Sequence, residues 1–431
     1  MARNKVIVGI DIGTAKVTTI IANVSEEEKN IIGVASVPSK GIKKGQVVDI
    51  EKTTAPILES LEAAERMAGY SASSAFVSVN GAHIRSQNSH GVVAVADPNQ
   101  EISQNDIVRV VEAAKAVSLP SAYEIIHVLP RGFIVDGQAG IVDAVGMTGI
   151  RLEVDTHLII GGTTSLRNLE KCIAENGLDL SGFVFGGLAS AEAVLSATEK
   201  ELGVILVDIG AGTTAIAIYV EGALSYSAVI PVGANNVTND LAIGLRVSLD
   251  SAEKIKLFLG EKKKEKIFPS GKKKKKKEIV SEEEIDLSSL DLPEKLKKVS
   301  RKTMIEGIIK PRLDEIFTMI GLQVKKSGFG GMTPAGIVIT GGGALTAGVV
   351  EAAKRNLAMP GRIGIPQGVT GLVDEILTPP FATAIGLTLY AGKVEVKGEG
   401  FSLAQFGQFF RKIPVKGMAK KVLDLAKSFL P

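Results

Sequence analysis

The sequence predicts an α/β chain of two related lobes, with a compact α+β unit inserted into the first. Three observations predict it. Val8-Gly-Ile-Asp11-Ile-Gly13-Thr14 recurs as Ile205-Leu-Val-Asp208-Ile-Gly210-Ala211. In each copy a buried strand leads to Asp, an apolar residue and Gly, and then through a Thr-containing turn into a second strand. Ile84 to Ile160 holds one helical run among several strand-like runs. Ile337-Val-Ile-Thr340 delivers Gly341-Gly342-Gly343 to a further helical run. At 431 residues the chain is long for a single core, and roughly two to four folded units fit that length.

The elements follow from periodicity. Val6 to Ile12 is a buried strand, Val17 to Val24 a second, and Ile31 to Val37 continues the sheet. Thr53 to Met67 has helical spacing, with Ile57, Leu61, Ala64 and Met67 on one face, and Phe76 to Val79 is another strand. In the inserted unit Asp106 to Ala116 is helical, with Ser103 as N-cap and Asp106 three residues on. Gly91–Ala96, Tyr123–Leu129, Gly132–Val135 and Arg151–Ile160 are its strand-like runs. Leu202 to Ile209 and Thr213 to Val220 repeat the strand–turn–strand pattern. Asn235–Gly244, Ser251–Leu259, Lys302–Lys325, Leu345–Asn356 and Phe381–Ala391 read as helices.

Composition excludes several classes. One cysteine, Cys172, rules out an intrachain disulfide, which fits a reducing compartment. It lies in the helical run Leu166–Asn176 and reads as a buried structural thiol rather than a nucleophile. Mean hydropathy is positive, at +0.23, yet the apolar runs are short and strand-like, so no membrane span is expected. The chain enters a strand at Lys5, and a cytoplasmic protein without a secretory signal is expected. Aromatics are only 4% of residues, too few for a stacking platform on single-stranded nucleic acid. Ten Lys and two Glu between Glu261 and Lys277 carry +8 of a net +3, leaving −5 for the remainder. The body is mildly acidic, unlike a nucleic-acid-binding domain. The Lys-rich stretch reads as a solvated loop, although attraction to a membrane or an acidic partner is the alternative.

The repeated hairpins suit phosphate. Glycines let backbone N–H groups approach an anion without a Cβ in the way. Thr14, Thr213 and Thr214 supply hydroxyls, and Lys16 a positive charge near the terminal phosphates. Asp11 and Asp208 would repel phosphate unless magnesium lies between them. A single Asp-x-Gly is as readily an ordinary tight turn; two copies in matching contexts point to a nucleoside triphosphate. Gly341, Gly342 and Gly343 place an open backbone at a helix N-terminus. Glu253 and Lys256 share a helical face at i, i+3.

In this order the four elements resemble the actin–Hsp70–sugar kinase superfamily. The resemblance implies an actin-like fold of two ribonuclease-H-like lobes, each with a five-stranded sheet, and ATP with Mg2+ in the cleft. By it Asp11, Gly13, Thr14 and Lys16 form one phosphate loop, and Asp208, Gly210, Gly212, Thr213 and Thr214 the other. Asp11 and Asp208 hold the metal. Gly341, Gly342 and Gly343 back the adenosine, and Glu253 and Lys256 meet the ribose. Glu192, in the helix Ser190–Ser196, orients an attacking water; a solvated helical Glu is the alternative reading.

The middle segment narrows the resemblance. Val135-Asp-Gly-Gln-Ala-Gly-Ile-Val-Asp143-Ala-Val-Gly-Met147, running on to His157, is similar to the FtsA family of bacterial cell-division proteins. So are Val77-Ser-Val-Asn-Gly81-Ala-His83 and Asn88-Ser-His-Gly91. Two departures are the long Lys-rich stretch and Asp143-Ala in place of the family's Asp-Pro. The resemblance implies a first-lobe core of residues 1–83, 163–201 and 375–393, with the extra subdomain at 84–162. The second lobe takes 202–230 and 305–374, with an outer subdomain at 231–304 that carries a Lys-rich loop at 261–278. A linker spans 394–412 and an amphipathic helix 413–431.

That tail has its own signal. At about 100° per residue, Val415, Met418, Val422, Leu425 and Phe429 fall on one half of the wheel, and Lys420, Lys421 and Lys427 on the other. Arg411 to Pro431 holds six basic residues and one acid. Such a helix suits the headgroup plane of an anionic membrane; docking on the protein's own core is the alternative. Phe406, Phe409 and Phe410 extend the anchor or pack on the body.

The family resemblance implies a self-polymerising ATP-binding adaptor, with at most slow ATPase activity, on the inner face of the cytoplasmic membrane. Its partner would be FtsZ, whose C-terminal peptide docks near Lys298, Arg301, Lys302 and Ile305. A pilus-assembly relative and a small-molecule kinase share the nucleotide elements. Met147–His157 and the tail argue against the first, and the lack of a distinctive catalytic Asp argues against the second.

Overall fold

The computed structural model describes residues 5–25, 27–267, 284–372 and 374–396. The first lobe begins with an antiparallel meander, β1 (Lys5–Ile12), β2 (Lys16–Val24) and β3 (Lys29–Pro38). A small hairpin follows, β4 (Ile42–Lys43) and β5 (Gln46–Val47), and then α1 (Ile50–Ala68). Asp49 caps α1 by accepting from the Lys52 N–H at 3.1 Å, and Gly69 ends it in the left-handed region. β6 (Ser74–Val79) then joins β1 in parallel.

The chain leaves the first lobe through the inserted subdomain. β7 (Arg85–Ala94), α2 (Gln104–Lys115), β8 (Tyr123–Val135), β9 (Gln138–Ile141) and β10 (Arg151–Gly162) form it. Its four strands run in the antiparallel order β7-β10-β8-β9, packed against α2. Ser103 and Asp106 form the capping box of α2, each side chain bonding the other's backbone N–H.

The return brings α3 (Thr163–Ala174), β11 (Asp179–Phe185), α4 (Gly186–Val194) and α5 (Ala197–Leu202). Cys172 is buried on α3. The second lobe repeats the meander as β12 (Val204–Ile209), β13 (Thr214–Val220) and β14 (Ala223–Ile230). It continues with α6 (Ala234–Leu245), α7 (Leu249–Ile267), β15 (Glu284–Asp286), β16 (Lys298–Ser300), α8 (Lys310–Ser327), β17 (Ile337–Thr340), α9 (Val349–Leu357) and β18 (Gly361–Ile363). β19 (Thr370–Gly371) and α10 (Ala382–Val396) return to the first lobe.

The two large sheets match over five strands, and the first carries β19 in addition. The first runs β11-β6-β1-β2-β3-β19 and the second β18-β17-β12-β13-β14. Strand alternation places the sites. In β1, Val8, Ile10 and Ile12 face α1, while Ile7 faces the central layer. In β12, Ile205, Val207 and Ile209 face outward, while Val204 and Leu206 face inward. Asp11 and Asp208 therefore both end their strands on the inner face. α4 and α10 lie in that central layer and share one apolar cluster with both sheets. Gly386 lets them touch: a Cβ there would stand 1.8 Å from the Ala189 carbonyl oxygen.

The inserted subdomain also bonds the second lobe. Ser86 Oγ donates to the Ser227 carbonyl at 2.7 Å and accepts the Ser227 N–H at 3.2 Å. The buried His157 imidazole lies 2.7 Å from Asn88 Oδ1 and 3.0 Å from Ser227 Oγ. Burial drives its pKa down to about 3, with the Arg131 charge adding to the effect, so it is a neutral bridge.

Several boundaries differ from the sequence reading. The first sheet has a sixth strand, β19, so the return to that lobe begins before residue 375. α7 runs on through Ile267, into the segment read as a loop from residue 261. The run read as one helix from Lys302 is π-helical over Thr303–Ile309 before α8 begins. α10 extends to Val396, past the linker boundary at 394. Residues 268–283 of the Lys-rich stretch and 397–431 of the linker and tail lie outside the described residues.

Candidate functional site

The two hairpins close alike. The Gly13 N–H donates to the Lys16 carbonyl at 3.0 Å, and the Gly210 N–H to the Thr213 carbonyl at 2.8 Å. They meet at the mouth of a cleft of about 460 Å³, a volume typical of small-molecule sites. Asp11, Gly13, Thr14, Lys16, Asp208, Gly210, Thr213, Glu253, Lys256, Gly341, Gly342 and Gly343 line it. The structure thus brings together residues spread over more than three quarters of the chain.

Each aspartate is held by hydroxyls. Ser78 Oγ, on β6, donates to Asp11 Oδ1 at 2.6 Å. Asp208 Oδ2 accepts from Ser190 Oγ on α4 and, at 2.9 Å, from Thr383 Oγ1 on α10. Burial raises the Asp11 pKa to about 6; the Ser78 hydroxyl opposes this, the nearby Asp208 charge adds to it, and Lys16 opposes it. Burial also raises that of Asp208 against the pull of Ser190 and Thr383. Lys16 is lowered to about 8 by burial, with Asp11 opposing, and its Nζ sits 3.4 Å from the centroid of the Phe381 ring. Two desolvated carboxylates on one cleft wall are costly without a cation. Among the described residues no group of three or more His, Cys, Asp or Glu could hold a metal by itself. The donor set suits a hard cation such as Mg2+ that takes its remaining ligands from phosphate and water.

The far end of the cleft is built by α6, α7 and the triple glycine. Glu253 Oε2 accepts from Lys256 Nζ at 2.7 Å and from Thr238 Oγ1 at 2.6 Å. This fixes a polar pair on the cleft wall. Leu249, Leu257 and Leu345 supply apolar wall. Gly341 has φ +81°, and a Cβ there would stand 2.2 Å from Asp208 Oδ1. Only glycine lets this strand end approach the carboxylate.

Four site expectations change. Glu192 does not line the cleft. Its carboxylate accepts from Lys200 Nζ at 2.7 Å and from Lys393 Nζ; burial alone would raise its pKa, but the two ammonium groups hold it below the usual range. It is a structural ion-pair centre, not a water-orienting group. Thr214 is fully buried, and its hydroxyl donates to the Val232 carbonyl at 2.8 Å. Alternation along β13 turns it away from the cleft wall that Thr213 reaches. Gly212 is absent from the cleft wall because it packs on Thr14, whose Oγ1 would lie 2.8 Å from a Cβ there. The glycine run does not open a helix directly: Gly342–Leu345 is a 3-10 turn, and α9 starts at Val349 behind Gly348. Ser78, Ser190, Thr383, Thr238, Asn80, Asn235 and Asn239 escaped the sequence reading. Of these, Ser78 and Asn80 lie in the family-like run Val77–His83 without a role being read from it, and Asn235, Thr238 and Asn239 carry a signal as polar residues at i, i+3 and i+4 on a helix whose Val237 and Leu241 are buried.

Arg301 and Ile305 line a separate groove of about 220 Å³ with Glu306, Lys310, Glu351 and Arg355. Lys302 is exposed beside it. Lys298, on β16, is exposed with its Nζ 3.9 Å from Glu284 Oε2. Val415, Met418, Lys420, Lys421, Val422, Leu425, Lys427 and Phe429 lie outside the described residues.

Two sheets of matching topology, opposed hairpins on one cleft and a subdomain inserted after β6 define an actin-like two-lobed chain. Solved structures agree in fold. The chain superposes on a PilM–PilN type IV pilus biogenesis complex with a TM-score of 0.62, at 17% identity, over 90% of this chain and 98% of that one. It superposes on MreB5 of Spiroplasma citri bound to ADP at 0.51 and 15% identity, over 91% and 98%. Residues 81–160 match the SHS2 domain inserted in FtsA, and residues 205–386 match the cell division protein FtsA model. The cell division protein FtsA of Pseudomonas aeruginosa is 39% identical over 408 residues, 94% of this chain and 93% of that relative. The chain belongs to the FtsA family of cell division proteins.

Proposed function

We propose that this chain binds ATP with Mg2+ between its lobes and assembles into membrane-bound filaments that tether FtsZ at the division site. The observation that carries the nucleotide reading is the pair of hairpins, each ending an inner-face strand with an aspartate, opposed across one cleft. In that reading the Gly13 and Gly210 turns and Lys16 bind phosphate. Asp11 and Asp208 would hold the metal, which neutralises charge on the phosphates when bound. Glu253 and Lys256 orient the ribose, and the leucines and Gly341–Gly343 flank the base. With Glu192 bonded to two lysines away from the cleft wall, the nucleotide in this reading acts as a conformational latch with slow turnover at most.

Among the described residues no helix is long and apolar enough to cross a membrane, which leaves attachment to the cationic tail. The groove at Arg301 and Ile305, with Lys302 beside it, would offer the FtsZ peptide an apolar contact next to two basic side chains. The test is calorimetric titration of the full chain with ATP and Mg2+, in parallel with Asp208→Ala. Tight binding by the parent that the variant loses at least about tenfold is expected; equal binding by both removes the site. Pelleting with anionic vesicles should fail after truncation at Gly400. Reversing charge at Arg301 and Lys302 should weaken the FtsZ peptide, and unchanged affinity would dismiss that groove.

A further inference from the structure

One polar side chain in the cleft has no work in the protein. Asn80, immediately after β6, lines the cleft wall. Its Oδ1 is buried with no hydrogen-bond partner among the described residues. Buried amide oxygens are almost always bonded; with Oδ1 unpaired and Nδ2 also without a hydrogen bond among the described residues, the carboxamide is uncommitted and its N–H2 is free to donate to a ligand.

The surroundings make room for this amide. A Cβ at Gly186, the first residue of α4, would stand 2.2 Å from Asn80 Nδ2, and one at Gly45 would stand 2.4 Å from the Asn80 carbonyl oxygen. Two glycines thus clear the space on either side. No protein bond fixes which end of the carboxamide faces the cleft, and the group offers both donors and an acceptor.

Its position along the cleft is set by its neighbours. Ser78, two residues earlier, donates to Asp11. Gly45, which backs Asn80, donates its N–H to Thr14 Oγ1 at 3.2 Å. Asn80 therefore stands with the first hairpin, whereas Glu253 and Lys256 stand on α7 of the second lobe. Asn80 also lines a small cavity of about 10 Å³ together with Gln46, His83 and Ser165. In the nucleotide reading the phosphates lie at the hairpins, so a terminal phosphate is the group that comes next to Asn80.

We propose that Asn80 is the residue that reads the terminal phosphate, its amide donating to a γ-phosphate oxygen and so separating a nucleoside triphosphate from a diphosphate. This rests on the nucleotide reading above. Affinities for ATP and for ADP, each with Mg2+, are measured on the full chain by equilibrium dialysis. Asn80→Ala should bind ADP as the parent does and lose about tenfold for ATP, so the ATP-to-ADP preference falls by the same factor. Asn80→Asp keeps the shape but turns a like charge on the phosphate. It should lose more for ATP, and the loss should shrink as pH falls and the new carboxyl protonates. Equal change for both nucleotides, or no change for either, overturns the proposal while leaving the nucleotide site standing. A parent chain that binds neither nucleotide overturns both. If Asn80→Ala melts early and binds nothing, the isosteric Asn80→Asp decides: an unchanged ATP-to-ADP preference at neutral pH refutes the role.

Discussion

Asp11→Asn should make the nucleotide-free protein more stable while disabling its site. The unfolded Asp11 carboxyl ionises near its ordinary value of 3.8, and the folded one at about 6. The folded chain therefore binds more protons than the unfolded chain between those values, and stability falls as pH rises across that window. About two pKa units correspond to about 3 kcal/mol, an upper bound for a group on an open cleft wall, where solvent screening brings it to about 1–3 kcal/mol. Asparagine keeps an oxygen to accept from Ser78 and removes the charge. The attraction to Lys16, lost in the variant, runs the other way but is the weakest of the influences on Asp11. Urea unfolding in EDTA, without nucleotide, should show the variant ahead by about 1–3 kcal/mol at pH 7.5 and level with the parent at pH 4. Magnesium-dependent nucleotide binding should drop at least about tenfold in the same variant. A variant less stable than the parent at pH 7.5, or a difference that does not change with pH, would refute the reasoning. A gain in stability at the expense of the site is the trade expected where function requires a costly buried charge.

Gly341→Ala places a Cβ against the Asp208 carboxylate at a backbone φ of +81°; thermal unfolding should show a loss of about 1–3 kcal/mol, and calorimetry a loss of nucleotide binding. Glu192→Gln leaves Lys200 and Lys393 facing a neutral amide and should destabilise by about 1–3 kcal/mol. Nucleotide affinity and phosphate release should stay within about twofold, and a selective collapse of phosphate release would restore the water-orienting role. His157→Ala strips partners from Asn88 and Ser227 and should lower stability by about 1–3 kcal/mol, with faster amide exchange in β14 as the specific sign that the inserted subdomain has let go of the second lobe.

The paired hairpins were legible because strand alternation and glycine placement are written in the chain itself. Asp11 and Asp208 follow apolar strands, so period two carries both to the inner face without any knowledge of the partner lobe. The inserted subdomain was legible for the same reason, its capping box being spelled out by Ser103 and Asp106. What sequence could not give is the tertiary partner of each short polar side chain. Ser78 sits in a run that reads simply as a buried strand, and Ser190 and Thr383 in small-residue helices. Nothing local says that their hydroxyls converge on carboxylates up to 175 positions away. Glu192 fails in the opposite sense. Its place in the helix pattern fits a polar cleft residue, but Lys200 and Lys393 compete for it, and two close ammonium groups outweigh solvation at the cleft. Thr213 and Thr214 look alike in sequence and separate only when β13 begins, because alternation sends one to the cleft and the other to the Val232 carbonyl.

The asymmetry between the two aspartates has a mechanical consequence. Asp11 is held by Ser78 of its own lobe. Asp208 belongs to the second lobe, on β12, but its hydroxyl donors Ser190 and Thr383 stand on α4 and α10, the helices of the central layer. Those helices pack on each other through Gly386 and Ala189 and share their apolar cluster with both sheets. The Asp208 carboxylate is thus a polar joint between lobes inside an otherwise apolar seam. β13, which carries the second hairpin onward, pairs with β14, and β14 is where Ser86 and His157 of the inserted subdomain are bonded. A ligand that draws on Asp208 therefore acts on a group already shared by the hinge helices and the sheet that supports the inserted subdomain. Such a layout couples the occupancy of the cleft at Asp208 to the angle between lobes and subdomain, because the groups that bond this carboxylate stand on the helices that both sheets share.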